Sequence, residues 1–245
     1  MHYKRFKFRN FKGIADMDLE LSGDVTTLIG LNESGKTTVL EAIFCFSYGA
    51  EDLQVINPEM ASLRVPDQWI PISKRANFND DIRICAVVSL SDDDKAGLQA
   101  HMRTKFGLHA TGLAEEIEIC ERHRFENSRF IETRYEWGLG IQGTVGRQRN
   151  PRSFGAETPE WLGAVAYLKE KLPRIWYFPN FLFELPERFA LRETASVAGD
   201  AEQDKSRFYR STFEQILAQL GSGANLETHV VDRLRSTERA DQRSL

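Results

Sequence analysis

Apolar and polar residues alternate from the start of the chain. Tyr3, Phe6 and Phe8 lie among Lys4, Arg5, Lys7 and Arg9, and Ile14, Met17, Leu19 and Leu21 alternate with Asp16, Asp18 and Glu20. Both stretches predict half-buried strands. Ser22-Gly23-Asp24 marks a turn, and Val25-Thr26-Thr27-Leu28-Ile29 is a β-branched run that predicts a third, buried strand. The period then changes: Val39, Leu40, Ile43 and Phe44 predict a helix from about Gly35, closed by Gly49. Residues 50–80 hold three of the eight prolines and read as an ordered loop. Asp81 to Leu90 reads as an apolar strand. Ser91 with Asp94 forms a capping box for a helix carrying Leu98, Met102 and Phe106 on one face. Glu116–Arg124 and Arg129–Trp137 pair around a turn at Asn127-Ser128. Thr158-Pro159-Glu160 opens a helix that turns Trp161, Leu162, Val165, Leu168 and Leu172 inward and ends at Pro173, before a strand over Arg174–Phe178. Past about residue 190, a polar stretch leads to a helix on Tyr209, Phe213, Ile216, Leu217 and Leu220. A Gly-Ser-Gly break and a last helical pattern on Leu226, Val230 and Leu234 follow. These elements predict an α/β lobe with a mixed sheet over residues 1–190, and a helical arm or the start of an insertion over 191–245.

Composition narrows the class. Of 245 residues, 41% are hydrophobic and 28% charged, with a net charge of -4, which disfavours disorder and collagen. No apolar run approaches the ~20 residues of a membrane span, and the charged start MHYKRFKFRN is unlike a signal peptide, so the expectation is a cytoplasmic protein with no membrane partner. Cys45, Cys85 and Cys120 are far apart and without a CxxC pair, predicting no disulfide framework and no zinc ribbon; each is expected as a small buried apolar group. His123, between Arg122 and Arg124, reads as an exposed strand residue. The four tryptophans Trp69, Trp137, Trp161 and Trp176 read as core.

Gly30-Leu31-Asn32-Glu33-Ser34-Gly35-Lys36-Thr37 matches GxxxxGK[ST], between a predicted strand and a predicted helix. The glycines let the backbone wrap a phosphate chain so that successive N–H groups and the positive helix end point at it. In that motif Lys36 reaches the β- and γ-phosphates of ATP, and the Thr37 hydroxyl ligates Mg²⁺.

With Asn10-Phe11-Lys12-Gly13-Ile14 before the motif and Thr38-Val39-Leu40-Glu41-Ala42-Ile43 after it, the stretch resembles the start of ABC-type ATPase heads of the RecF, SMC, Rad50 and OLD (AAA15-like) group. The resemblance is specific over residues 1 to about 50. It implies the N-terminal lobe of a P-loop NTPase head, with ATP and Mg²⁺ as cofactors. Asn32 would contact the γ-phosphate, Thr38 would stand beside Thr37, and the Asn10 and Lys12 edge would lie near the nucleotide. It also implies a second head in a homo-oligomer and a C-terminal half or partner chain. DNA as a partner, or an effector nuclease or toxin, would follow from roles in genome maintenance or anti-phage defence.

Two elements of such heads are absent from the sequence. Leu21-Ser22-Gly23 imitates a signature segment but precedes the P-loop. Ala86-Val87-Val88-Ser89-Leu90-Ser91-Asp92-Asp93 imitates a Walker B run, yet serines interrupt it and its acids open a helix. The expectation is therefore ATP binding with little hydrolysis by this chain alone, or an ATP-dependent assembly module with none of its own. Gly138-Leu139-Gly140-Ile141-Gln142-Gly143 matches GxGxxG, but no helical periodicity follows, so it reads as a hairpin turn and loop. Gln142 and Gln148 are candidate Q-loop glutamines. Arg147, Arg149 and Arg152 are candidate phosphate contacts for DNA, or else part of a solvated loop. The arginines are a faint echo of a kinase lid.

Overall fold

The computed structural model describes residues 1–46, 63–146, 150–156, 158–175 and 177, with Arg210, Phe213, Glu214, Leu217 and Leu226. The chain divides into two compact units, Met1–Glu51 with Met60–Tyr177, and Asp52–Glu59 with Phe178–Leu245. In the second unit the five described positions are all helical, and Arg210 pairs with Glu214 at 3.1 Å across one turn. Phe213, expected on a helix, is helical and 44% exposed there. Tyr209, Ile216, Leu220, Val230 and Leu234 lie outside the described residues.

In the first unit, β1 (His2–Phe11), β2 (Ile14–Glu20), β3 (Asp81–Ser89), β5 (Glu116–Glu126) and β6 (Arg129–Trp137) form one sheet in the order β2-β1-β3-β5-β6. Every described pairing in it is antiparallel. The two hairpins follow from local chemistry: the β5–β6 turn places Asn127 and Ser128 at φ 49° and 60°, the left-handed values of a tight hairpin. Side chains alternate across the sheet. Phe6, Phe8, Ile82, Ile84, Ile117, Ile119 and Phe125 are at most 3% exposed on the inner side. The helix α1 (Lys36–Cys45) contacts β1 and β3 and buries Val39, Ala42, Phe44 and Cys45.

The outer face carries charges, and they are paired. Lys4 meets Glu116 at 2.7 Å, Arg5 meets Asp18 at 3.2 Å, and Lys7 pairs with Glu118. Lys4, Arg5 and Lys7 of the basic run are thus met by carboxylates of β2 and β5.

A smaller antiparallel sheet joins β4 (Leu108–Gly112), β7 (Gln142–Val145) and β8 (Arg152–Ser153) in the order β4-β7-β8. Gly143 is required there, because a Cβ would lie 2.4 Å from the His109 carbonyl oxygen. The helices α2 (Asp92–Phe106) and α3 (Pro159–Lys171) pack on each other, with Gly163 against the Phe106 ring at a distance no Cβ would tolerate.

The capping box, the strands β1 and β2, the hairpin at Asn127-Ser128 and the start of α1 lie where the pattern put them. Four expectations are overturned. Val25–Ile29 forms no strand, and Val25 and Ile29 are 81% and 91% exposed, because no neighbouring strand offers a ladder. In α3, Leu162 is 54% exposed, since packing through Gly163 and Ala164 turns the helix away from the face that its apolar spacing suggested. Arg174, Ile175 and Tyr177 are not strand. Gln142–Val145 is strand rather than loop, paired with β4. Of the tryptophans, Trp69 and Trp137 are core, Trp161 is partly buried and Trp176 lies outside the described residues.

Candidate functional site: the phosphate-binding loop

The loop ahead of α1 owes its shape to two left-handed residues. Gly35 has φ 87°, which costs glycine nothing, and Glu33 has φ 65°, an uncommon conformation for a residue with a Cβ. A turn closes between them through Ser34 N–H donating to the Leu31 carbonyl at 3.3 Å. Gly30 leaves room for this, because a Cβ there would sit 2.7 Å from Ser34 Oγ. Gly35 is the N-cap of α1, makes no side-chain cap bond, and no acid stands in the first turn. A helix start without a side-chain cap presents unsatisfied N–H groups and the positive end of the dipole, an environment suited to an anion.

Lys36 folds back over the loop. Its Nζ donates to the carbonyl oxygens of Gly30 at 2.7 Å and Leu31 at 2.6 Å, and reaches Ser34 Oγ at 3.4 Å. Among the described residues no carboxylate pairs with it, so its charge is left to attract a phosphate. Leu31, Asn32, Glu33, Ser34 and Thr37 are exposed around the loop, and Thr38 is half-buried. The donor set fits a nucleotide triphosphate: backbone N–H groups, one uncompensated ammonium and the Thr37 hydroxyl, where Mg²⁺ would be held.

Asn10 and Lys12 are engaged elsewhere. Asn10 has φ 57° and is 4% exposed; its Nδ2 donates to Asp80 Oδ2 at 3.1 Å and to the Asp81 carbonyl at 3.0 Å, and its Oδ1 accepts from Lys74 Nζ at 2.9 Å. Partial burial raises the Asp80 carboxyl, but bonds from Asp81 N–H and Asn10, with Arg9 and Lys74 nearby, outweigh it and hold the group below the usual range. Lys12 pairs with Glu41 at 2.7 Å and donates its N–H to the Trp69 carbonyl at 2.6 Å, tying the β1–β2 turn to α1. A cleft of about 430 Å³ beside Asp80 includes no P-loop residue. Its lining carries three acids, Asp80, Asp81 and Glu126, against one base, Arg124, which pairs with Glu126 at 2.6 Å, an environment poorly suited to phosphate.

The other motifs find structural uses. Asp92, Asp93 and Asp94 fill the first turn of α2. Asp94 Oδ2 accepts from the Met1 ammonium at 2.6 Å and from Ser91 Oγ at 2.6 Å. Burial opposes ionisation of Asp94, but these bonds prevail and bring its pKa down to about 2. The run that imitated Walker B is therefore a helix cap. No βαβ unit surrounds the GxGxxG stretch, whose Gln142 is exposed in β7 opposite Gly112. Arg152 is paired loosely with Glu160 at 3.7 Å, and Arg147, Gln148 and Arg149 lie outside the described residues.

Two constellations were missed by sequence reasoning. His123, expected exposed, is 4% exposed in β5 beside the fully buried Glu121, with Nε2 3.6 Å from Glu121 Oε2 and Nδ1 2.9 Å from Thr133 Oγ1. Strict alternation through Ile117, Ile119 and Phe125 was the signal that puts both inside. Cys85 and Cys120, expected as separate buried groups, are joined in a disulfide between β3 and β5. Strand register, which cysteine spacing does not encode, makes them neighbours.

Residues 1–142 match the model of the AAA ATPase domain family. Over 49 residues the chain is 45% identical to the DNA replication and repair protein RecF of Sodalis glossinidius and to that of Haemophilus ducreyi. The match covers 20% of this chain and 14% of each relative, so the chain spans about a seventh of the length of these RecF proteins. A solved structure from work on ATP-driven dimerization and DNA-stimulated activation of SMC ATPases aligns with TM-score 0.35 and 14% identity, over 58% of this chain and 72% of that one. Given the P-loop geometry and a family match over more than half its length, the chain belongs to the AAA ATPase domain family.

Proposed function

We propose that this chain binds MgATP through Gly30–Thr38 as the N-terminal lobe of an ABC-type ATPase head that acts on DNA. The observation that carries the reading is the left-handed, uncapped start of α1 with Lys36 held by loop carbonyls and by no acid among the described residues. Backbone N–H groups would grip the phosphates, Lys36 would exchange its carbonyl partners for phosphate oxygens, and Thr37 would hold Mg²⁺. The metal ion supplies charge neutralisation on the phosphates when bound.

Hydrolysis needs an acid to orient water, and the acids closest to a Walker B pattern are spent capping α2. We assign that acid to a second half of the head, in the same polypeptide or a partner chain. Val25–Ile29 is its landing edge: a β-branched run, highly exposed and without a ladder, ready to gain one from an added strand. Two such heads would enclose ATP between them, with DNA repair or anti-phage defence as the setting and an effector nuclease or toxin as a possible load in the latter. The capped Asp92–Asp94 run equally favours a second reading, an assembly module that uses ATP binding alone.

Isothermal calorimetry of MgATP against the 245-residue chain tests the binding claim. Lys36→Ala should weaken binding on the order of a hundredfold, the worth of a charged phosphate contact, with an unchanged circular dichroism spectrum. Equal affinity in both proteins would overturn the assignment.

A further inference from the structure

The sulfur pair on the outer face of the sheet has no part in nucleotide binding. Cys85 of β3 stands directly opposite Cys120 of β5, with Cα atoms 4.0 Å apart, and Lys7 of β1 is its register partner on the other side. Antiparallel pairs facing each other this closely keep their side chains in contact whatever bond joins them. Ladders to β5 from Asp81 to Ser89 and to β1 from Arg83 to Ser89 hold β3 in place on both edges, so the register does not depend on the S–S bond. The two sulfurs therefore remain within bonding reach after reduction.

The surroundings suit thiol chemistry. Lys7, Arg83, Glu118 and Arg122 share this face and keep 37–45% of their side chains in water. Cys85 is 7% exposed and Cys120 is half-buried, so an incoming reagent meets Cys120 first. Glu118 Oε1 is 3.6 Å from Cys120 Sγ, placed to accept the thiol proton, and Glu118 in turn pairs with Lys7. A lysine ammonium beside a cysteine favours the thiolate, and here it flanks Cys85. The third cysteine is excluded from this chemistry: Cys45 is 2% exposed, its Sγ donates to the Leu63 carbonyl at 3.2 Å, and burial pushes its thiol up to about 12.

We propose that Cys85 and Cys120 form a reversible thiol–disulfide site whose reaction partner is a low-molecular-weight disulfide of the glutathione class. In the forward direction Cys120 passes its proton to Glu118 and attacks one sulfur of the partner disulfide. The partner's S–S bond breaks, one partner thiolate leaves, and a mixed disulfide forms on Cys120. The Cys85 thiolate then attacks Cys120 Sγ, forming the cross-strand bond and expelling the second partner thiolate. The cysteine pair is oxidised by two electrons, the partner disulfide is reduced to two thiols, and the two cysteine protons end on them by way of solvent. Excess thiol runs the same steps backward. Sγ of both cysteines and a Glu118 oxygen also lie within 4.8 Å of one another, but a metal would find only these three ligands and would have to displace Lys7 from Glu118.

The test uses the native full chain, equilibrated without air in glutathione buffers stepped from reducing to oxidising, then quenched and labelled at neutral pH, still folded, with excess maleimide for mass spectrometry. Reducing buffer should give two adducts, on Cys85 and Cys120, and oxidising buffer none, in one two-electron step that traces the same curve in both directions. Cys45 should stay unlabelled until the protein is denatured. Cys85→Ser should trap one glutathione on Cys120, while Cys120→Ser should take up glutathione at least tenfold more slowly. Thiols that stay labelled in the most oxidising buffer, or a disulfide that resists reduction in the folded protein, would overturn the proposal. So would stoichiometric zinc that the reduced chain retains in native mass spectrometry and that blocks oxidation. The wild-type titration decides the matter even if a serine variant fails to fold.

Discussion

The five-stranded sheet and the phosphate loop are built from the same kinds of residue and end in opposite states. In the sheet, Phe6, Phe8, Ile82 and Ile84 are at most 1% exposed, and the charges of the outer face have partners. In the loop and the run before it, Val25, Ile29 and Leu31 are 81–91% exposed, the start of α1 has no side-chain cap, and Lys36 is met by loop oxygens and by no carboxylate among the described residues. Sequence hydrophobicity is similar in the two; what differs is whether a neighbour exists to satisfy it. The sheet satisfies its side chains from within, whereas the loop and the run before it do not among the described residues, which is what the proposed ligand and added strand would supply.

Core truncation should show the largest effect. Phe8→Ala in β1 should cost about 3–5 kcal/mol in a urea melt, the usual loss for an aromatic side chain removed from a packed core. Ile29→Ser, on the exposed side of the comparison, should stay within about 0.5 kcal/mol of the parent. A comparable loss in both would mean that the run before the P-loop is already buried in solution.

The same contrast explains what the sequence could reveal. Alternation in β1 and β2, the apolar run of β3, the β5–β6 pair with its Asn127-Ser128 turn and the Ser91–Asp94 box were readable because each depends on residues adjacent in the chain. The P-loop was readable for the same reason, since eight consecutive residues make its shape. Val25–Ile29 misled because a β-branched run states only a preference, and a strand also needs a partner. The Cys85–Cys120 bond depends on register between two strands whose cysteines are 35 residues apart, whereas the burial of Glu121 and His123 follows from the alternation of β5 and goes unread only because charged residues are expected outside. The face of α3 was set by where Phe106 admits a glycine, a feature of two helices together.

Smaller effects sharpen the picture at the sheet's margins. Gly143→Ala should destabilise by about 1–3 kcal/mol, because the new methyl meets backbone of β4 that has no room to yield. Asp94 has a folded pKa of about 2 against 3.8 ordinarily, so its contribution of about 2 kcal/mol is present above about pH 4 and is lost as pH falls through 2. Urea melts between pH 2 and 5 should show that slope, and Asp94→Asn should flatten it. Least of all, Lys4→Ala should leave the urea midpoint where it was, since Lys4 and Glu116 meet in water.

The central claim is that this chain holds ATP but lacks, among its described residues, an acid placed to hydrolyse it. Single-turnover and steady-state phosphate release from the 245-residue chain at saturating MgATP addresses it most directly. Turnover far below ~1 s⁻¹, with ATP still bound, is the predicted result. Turnover near ~1 s⁻¹ or above, abolished by Lys36→Ala, would place a complete catalytic site within this chain and contradict the division between lobe and missing half.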